Sequence, residues 1–155
     1  MHLTLIRIKF LLVFSVVIVS CQKKAVFNAM LYSGQSMERY DGAAVLGEFQ
    51  PSKKYEIKNI MIDGNSLYIS INYEASCDGK DKFELIGSEK LNTDVYPPIR
   101  QVQFSVKPSG DPCTELKSRT VNFNIRELAW EKQRDEETDL DLKGWRGRIR
   151  YVYLP

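Results

Sequence analysis

The sequence predicts an all-β protein, an antiparallel β-sandwich or small barrel of about seven to nine strands behind an N-terminal signal peptide. Apolar and polar residues alternate with a period of two in several segments, as they do in strands with one buried face. No helical pattern separates these segments. Two cysteines among turn residues, Cys77 and Cys113, predict one disulfide that crosslinks the strands.

The start of the chain has the order of a secretory signal peptide, which we assign to residues 1–20. A charged segment with Arg7 and Lys9 is followed by the apolar run 10–19 and by a small residue immediately before Cys21. The apolar run is too short to span a bilayer by itself. We therefore expect the chain to be exported.

The tetrapeptide Ile18-Val19-Ser20-Cys21 resembles the bacterial lipobox, in which the cysteine becomes the first residue after signal cleavage. The resemblance implies a diacylglycerol on the Cys21 sulfur and an acyl chain such as palmitate on its amine. Two or more chains anchor durably, because each buried methylene contributes about 0.8 kcal/mol. Gln22, rather than aspartate, favours the outer membrane, at its periplasmic face or the cell surface. The alternative is an uncleaved helix with a buried Cys21.

We interpret residues 21–50 as a lipidated tether that becomes a first strand or hairpin, and residues 51–155 as the β-sandwich domain. The tether has weak periodicity and several breakers, including Ser33-Gly34 and Asp41-Gly42. A short helix from Met37 is the alternative.

The strand pattern becomes clear after residue 53. A hairpin is predicted over residues 54–74, with an irregularity near Lys58 and a tight turn at 63–66. A short strand at Phe83 and Leu85 is expected to form a second hairpin with the strand before it. The predicted inward-facing residues of the central strands are Leu67, Ile69, Ile71 and Tyr73, then Val102, Phe104 and Val106, then Val121, Phe123 and Ile125.

The C-terminal part predicts a helical turn and one more hairpin. Leu128 is expected to cover the sheet from a turn near residues 126–130, and the charge run 131–139 is interpreted as a solvated hairpin loop. Leu140 and Leu142 are expected to start a strand, residues 143–147 to turn the chain, and Ile149, Tyr151 and Tyr153 to alternate along the last strand.

Cys77 and Cys113 are the two cysteines left once Cys21 is lipidated, so one pairing is possible. Closing a loop of about 37 residues should contribute roughly 4 kcal/mol by restricting the unfolded chain. A reactive or metal-binding role is the alternative, but the Cys-x-x-Cys spacing of such sites is absent.

Composition excludes several function classes. The 155 residues contain 22 Lys and Arg, 20 Asp and Glu, and one histidine. The excess cations, Arg7 and Lys9, and the histidine, His2, all lie in the segment expected to be removed. The remaining chain is neutral, without an electrostatic footprint for nucleic acid. Without imidazole, Ser-His-Asp or Cys-His catalysis and histidine-ligated metals are excluded. We expect a non-enzymatic protein without a cofactor.

Three aspartates near the cysteines are candidates for oxygen ligands. The disulfide could bring Asp78, Asp81 and Asp111 within reach of one another, as a calcium site requires. Aspartate in turns more often caps its own backbone, and we therefore predict no metal site.

Aromatic and proline residues supply the candidate binding surface. Tyr96, Pro97 and Pro98 form a stiff loop whose Tyr–Pro bond can adopt the cis form, and Trp130 and Trp145 flank the charge run. Such residues can anchor a partner, or they can be packed into the core or against a sheet edge.

Arg146, Arg148 and Arg150 alternate along the last predicted strand and are expected to face solvent together. They could meet an anionic partner. The alternative, which we favour, is that they protect an edge strand from aggregation.

The chain resembles the small envelope lipoproteins of Gram-negative bacteria that combine a lipobox with a two-cysteine β-domain. The resemblance implies a location and a fold and brings no activity with it. It is carried by the lipobox, the strand 67–73 before Cys77, Phe83-Glu84-Leu85, Tyr96-Pro97-Pro98, Gly110-Asp111-Pro112-Cys113, and Val121-Asn122-Phe123-Asn124-Ile125.

These observations together favour a lipid-anchored binding or assembly module whose partner is an envelope protein or glycan. One alternative is an inhibitor of a periplasmic hydrolase, with Tyr96-Pro97-Pro98 as its protruding loop. A carboxylate-based hydrolase is the other, and it requires two acidic side chains facing each other in a cleft.

Overall fold

The computed structural model describes residues 42–155. The predicted signal peptide, Cys21 with its lipobox, the tether up to Asp41, and Met37 all lie outside the described residues. In the described range no helix is long and apolar enough to cross a membrane. The elements are β1 (Gly42–Ala43), β2 (Val45–Leu46), β3 (Tyr55–Asp63), β4 (Ser66–Ser76), β5 (Lys82–Asn92), β6 (Ile99–Lys107), β7 (Pro112–Asn124), a 3-10 helix (Arg126–Leu128), β8 (Glu137–Leu142) and β9 (Ile149–Val152).

The strands form two sheets that pack around one apolar core. The four-stranded sheet has the order β1-β7-β4-β3, and the five-stranded sheet has the order β2-β5-β6-β8-β9. Most neighbours are antiparallel, but β1 runs parallel to β7, β2 to β5, and β8 to β6. The prediction of an all-β sandwich with one disulfide is confirmed. β1 and β2 each join a different sheet and do not pair with each other.

The predicted hairpin over residues 54–74 is confirmed as β3 and β4. The register shifts between Ile57 and Asn59, at the irregularity that the sequence indicated near Lys58. Gly64 has a φ of 56°, the left-handed conformation that glycine adopts at little cost, and it forms the two-residue turn with Asn65. The four predicted inward residues of β4 are all buried.

The predicted second hairpin, between β4 and β5, is wrong. Both edges of β4 are already occupied, one by β3 and the other by β7, so β5 has no free edge of β4 to pair with. The turn after Ser76 instead carries the chain into the five-stranded sheet, where β5 pairs with β6. The strand predicted at Phe83 and Leu85 is present as part of β5, and both residues are buried.

The core is organised around the ring of Phe104 in β6. Tyr55, Phe83 and Phe123 lie around this ring, with centroid distances of 5.1, 6.0 and 5.9 Å. Tyr55 and Phe123 belong to the four-stranded sheet, whereas Phe83 and Phe104 belong to the other. The ring contacts therefore join the two sheets at their centre.

A segment between β2 and β3 crosses from one edge of β5 to the far edge of β6. The Gly47 amide donates to the Gly87 carbonyl on the side of β5 where β2 pairs, and the Lys53 amide donates to the Val106 carbonyl. The direct path between these points lies over the outer face of the sheet. Ser105, whose side chain points away from the core, is nevertheless buried. From the burial of Ser105 we infer that the crossing segment covers the middle of the five-stranded sheet.

The predicted disulfide between Cys77 and Cys113 is confirmed. It lies where β4 and β7 end their pairing, beside a hydrogen bond from the Cys77 amide to the Asp111 carbonyl. The crosslink therefore fixes the two loops at one end of the sandwich, which we call the disulfide end.

In the region after β7, the predicted helical turn is present, but the charge run 131–139 differs from the predicted loop. The 3-10 helix is the expected turn, and Leu128 is fully buried. The charge run 131–139 is not a single solvated loop, because Glu137 opens β8 and Asp139 is buried. The Asp139 carboxylate accepts a hydrogen bond from Arg150 of β9, which offsets the cost of burying its charge and which no local pattern indicated.

Phe104→Ala should lower the free energy of unfolding by about 3–5 kcal/mol, because it removes a fully buried ring and leaves a cavity between the sheets. Urea unfolding followed by circular dichroism measures the change. Leu116→Ala is the control, since Leu116 is 65% exposed and its truncation should cost less than about 1 kcal/mol. Equal losses for the two variants would contradict this description of the core.

Candidate functional site

The aspartates near the disulfide have different surroundings and do not converge on one point. Asp78 is exposed and accepts hydrogen bonds from the Ser109 hydroxyl at 2.6 Å and from the Lys80 amide at 3.1 Å. The Ser109 bond lowers the pKa of Asp78. Asp111 is exposed, and its carbonyl accepts from Cys77. Within residues 42–155, no group of three His, Cys, Asp or Glu side chains is placed to hold a metal ion.

Asp81 is buried and serves the scaffold. Its carboxylate accepts from the Ser76 amide at 2.7 Å and from the Ser76 hydroxyl, and Lys53 lies 3.5 Å away. Burial acts to raise the pKa of Asp81, but the bonds from Ser76 and the charge of Lys53 together hold it below its ordinary value. Asp81 therefore ties the turn after β4 to the segment that enters β3.

The loop between β5 and β6 projects one of its three predicted binding residues. Tyr96 is 74% exposed, whereas Pro97 and Pro98 are buried, so of the three candidate residues Tyr96 is the one that projects from the loop. The Tyr96–Pro97 bond is cis, and the Asp139 amide donates to the Pro98 carbonyl at 2.9 Å. The two prolines form a fixed base beneath an exposed phenol ring.

The two tryptophans occupy different parts of the molecule. The Trp130 amide donates to the hydroxyl of Thr138 at the start of β8, which is the end of the sandwich that also carries Tyr96. Trp145 lies in the turn between β8 and β9 and packs partly against the core. The structure thus brings Tyr96 and Trp130 to one end and places Trp145 elsewhere.

That end, opposite the disulfide, carries exposed apolar side chains from four segments of the chain. Val45 and Leu46 lie in β2, which packs near the 3-10 helix, and Leu154 lies against the β3–β4 turn. The exposed fractions range from 37% for Trp130 to 74% for Tyr96. We call this surface the apolar end, and it consists of Val45, Leu46, Val95, Tyr96, Trp130 and Leu154.

Arg100 supports the apolar end from beneath. It is buried, and its guanidinium donates to the carbonyls of Leu128 at 2.8 Å, Ser88 at 2.6 Å and Ala129 at 3.3 Å. Burial lowers the pKa of Arg100. Because these carbonyls belong to β5 and to the residues that lead into Trp130, Arg100 fixes both relative to β6.

Asn65 fixes the C-terminal segment to the same end. Its amide oxygen accepts from the Tyr151 hydroxyl at 2.7 Å and from the Leu154 amide at 3.2 Å, and its own amide donates to the Leu154 carbonyl. The Asn65 carbonyl also accepts from the Ile125 amide. One turn residue therefore joins β4, β7 and the end of the chain.

Arg146, Arg148 and Arg150 do not all lie in the last strand as predicted, because β9 begins at Ile149 and contains Arg150 alone of the three. Arg150 bonds Asp139 at 2.6 Å and Glu137 across the β8–β9 pair, and the Asp139 bond raises the pKa of Arg150. Arg148 lies 3.9 Å from Asp139, and Arg146 is exposed in the turn. β9 is an edge strand, which agrees with the interpretation that charges protect it.

Comparisons with known proteins give no family. No protein-family model matches the chain, and no curated protein matches it. Among solved structures, it is similar to the crystal structure of a "putative toxin related protein" from Parabacteroides distasonis, with a TM-score of 0.43 and 14% sequence identity. The match covers 72% of this chain and 61% of that protein, so the chain spans about three-fifths of its length.

Tyr151→Phe should reduce the loss of stability at alkaline pH. Burial raises the pKa of Tyr151 to about 12, with Tyr153 adding to the rise and Arg126 opposing it. The unfolded chain ionises this tyrosine near pH 10, so the folded state loses stability as the pH rises from about 10 towards 12. The variant should also lose about 1 kcal/mol at neutral pH, because its bond to Asn65 is removed.

Chemical denaturation between pH 8 and pH 12 measures this dependence. Tyr96→Phe, which removes an exposed hydroxyl, should retain the wild-type alkaline slope. An unchanged slope in Tyr151→Phe would show that the buried phenol is not its source.

Proposed function

We propose that the protein is exported, is lipidated on Cys21, and acts at the outer membrane as a non-enzymatic binding module that touches its partner through the apolar end. The observation that carries the binding role is the gathering of six exposed large apolar side chains at that end. Exposed apolar side chains gathered on one part of a folded domain commonly mark a contact site for another molecule. The lipobox and signal sequence support the location.

The apolar end has the rigidity that a recognition surface needs. Tyr96 stands on buried prolines, and Trp130 follows a backbone segment held by Arg100 and Thr138. Backbone segments held in place before binding lose little conformational entropy on association, and aromatic anchors commonly dominate interface energy. The expected partner is an envelope protein or glycan with a surface that accepts an aromatic ring.

The second candidate function is inhibition of a periplasmic hydrolase. It is supported by Tyr96, which is the most exposed large apolar residue described and projects from a stiff loop. A single projecting side chain on a rigid base can enter a substrate cleft and block it. This function uses the same surface, and the two candidates differ in the identity and the activity of the captured partner.

Site-specific photocrosslinking in intact cells should capture one partner when the photoreactive residue replaces Tyr96. The same residue in place of Leu116, an exposed apolar position near the disulfide end, should give no such adduct. Trp130→Ala should reduce the Tyr96 adduct at least fivefold, since the two rings lie at one end. Gel shift and mass spectrometry of the adduct provide the measurement.

The nature of the partner distinguishes the candidates. A hydrolase whose activity falls when the purified protein is added identifies an inhibitor, whereas a glycan or a structural protein identifies an assembly module. Equal adducts at Tyr96 and Leu116, or turnover of an envelope substrate by the purified protein, would overturn the proposal.

A further inference from the structure

β3 is the outermost strand of the four-stranded sheet and offers a long free edge. It has nine residues and pairs with β4 on one side, and among residues 42–155 no strand pairs with its other side. By contrast, the other outermost strands, β1, β2 and β9, have two, two and four residues. β3 also lacks proline, a residue that natural edges often use to prevent added pairing.

The free edge presents unpaired backbone groups at regular intervals. Asp63 and Ser66 flank the two-residue turn and form a hydrogen-bonded pair, so alternate residues before Asp63 direct their backbone groups outward. Those residues are Ile62 and Ile60. Their amides and carbonyls are placed to accept a further strand.

The space beside β3 is apolar. The partly buried hydrophobic residues that pack at the margin of the core come from β3 and from the β8–β9 hairpin. A strand added beside β3 would continue the four-stranded sheet and cover the hairpin residues with its inward side chains. This open edge is lined by Ile57, Ile60 and Ile62 on β3 and by Trp145 and Ile149 on the hairpin.

Both ends of β3 are fixed to the five-stranded sheet, so the open edge is preformed. The Tyr55 hydroxyl donates to the Phe104 carbonyl at 2.7 Å, and Asn65 at the other end holds Tyr151 and Leu154. These bonds anchor β3 at both of its ends. Ligand binding would therefore need little rearrangement.

Positively charged side chains lie at one end of the open edge. The turn 143–148 carries Lys143, Arg146 and Arg148, all exposed, and contains no carboxylate. The Lys143 amide bonds the Val102 carbonyl, two residues from the Phe104 carbonyl that holds Tyr55. The cations therefore lie near the Tyr55 end of β3 and favour an acidic group there.

We propose that the open edge binds an extended polypeptide segment of a partner protein, which adds to β3 as a fifth strand. The segment has apolar residues at alternate positions, facing Trp145 and Ile149, and an acidic residue beside the turn 143–148. Backbone hydrogen bonds supply affinity, and the apolar and cationic positions supply specificity. This site is separate from the apolar end and does not depend on its role.

The test uses the full-length protein with a strand attached after Pro155. Leu154 lies against Asn65, so a short Gly-Ser linker delivers the attached strand to the Asp63 end of β3, from which it runs antiparallel to β3. The strand has nine residues that alternate valine and threonine and ends in two aspartates. Tethering provides an effective concentration on the order of millimolar. The control fusion has serine in place of each valine.

Backbone hydrogen exchange, measured by NMR or mass spectrometry, should be at least tenfold slower at Ile60 and Ile62 in the valine fusion than in the serine fusion. Ile60→Lys should bring the exchange at Ile62 to within twofold of the serine fusion. Arg148→Glu should weaken the protection several-fold by repelling the aspartates. This variant provides the test if Ile60→Lys fails to fold. Leu116→Lys, on β7, should retain full protection.

Three outcomes would overturn the proposal. In the first, the two fusions exchange equally at Ile60 and Ile62. In the second, protection appears along β7 near Leu116 and not along β3. In the third, protection rises with protein concentration in both fusions, which would mean that a second copy of this chain occupies the edge.

Discussion

The structure depends on the aromatic contacts that Phe104 makes across the interior. Its ring lies between residues of both sheets, and the neighbouring Phe83 ring also meets Tyr73 of β4 at 5.3 Å. The layers of a sandwich share no backbone hydrogen-bond ladder, so side-chain packing does most of the work of holding them together, and side-chain bonds such as that of Tyr55 to the Phe104 carbonyl add to it. The disulfide and the Asn65 contacts then fix the two ends, and the candidate surfaces lie on the scaffold that results.

Alternation of apolar residues predicted the strands because it is a local property of the chain. Leu67, Ile69 and Ile71 face inward whatever strands lie beside β4, and the cysteines could pair in one way. Which strands pair with one another is not a local property of the chain. Nothing near Phe83 indicates that β7 already occupies the free edge of β4, so the local turn suggested a hairpin that the fold does not contain.

The candidate site was predicted in part for a related reason. Tyr96 and Trp130 were recognisable as aromatic residues outside the strand pattern, but their shared position depends on the parallel pairing of β6 and β8. In the sequence, Asn65 looks like any other turn asparagine. Its role follows from its contact with the C-terminal strand, which only the fold shows. Arg100 stands one residue after the start of β6, where its burial follows from the carbonyls that happen to surround it. Contacts between distant segments decided these roles.

The two proposed surfaces suit a protein that is held in place and acts by contact. The apolar end presents rigid side chains, and the open edge presents backbone groups beside an apolar wall, so the two would select different features of their partners. Both proposed roles require, first of all, that the domain stands outside the cytoplasm on a lipid anchor, where its disulfide persists.

Intact-mass spectrometry of the protein purified from cell membranes tests that requirement directly. The account predicts a chain that begins at Cys21, carries a diacylglycerol and an acyl chain, and has Cys77 joined to Cys113, whereas Cys21→Ser should yield no lipidated species. A full-length chain without lipid, recovered from the cytosol with both interior thiols reduced, would contradict it.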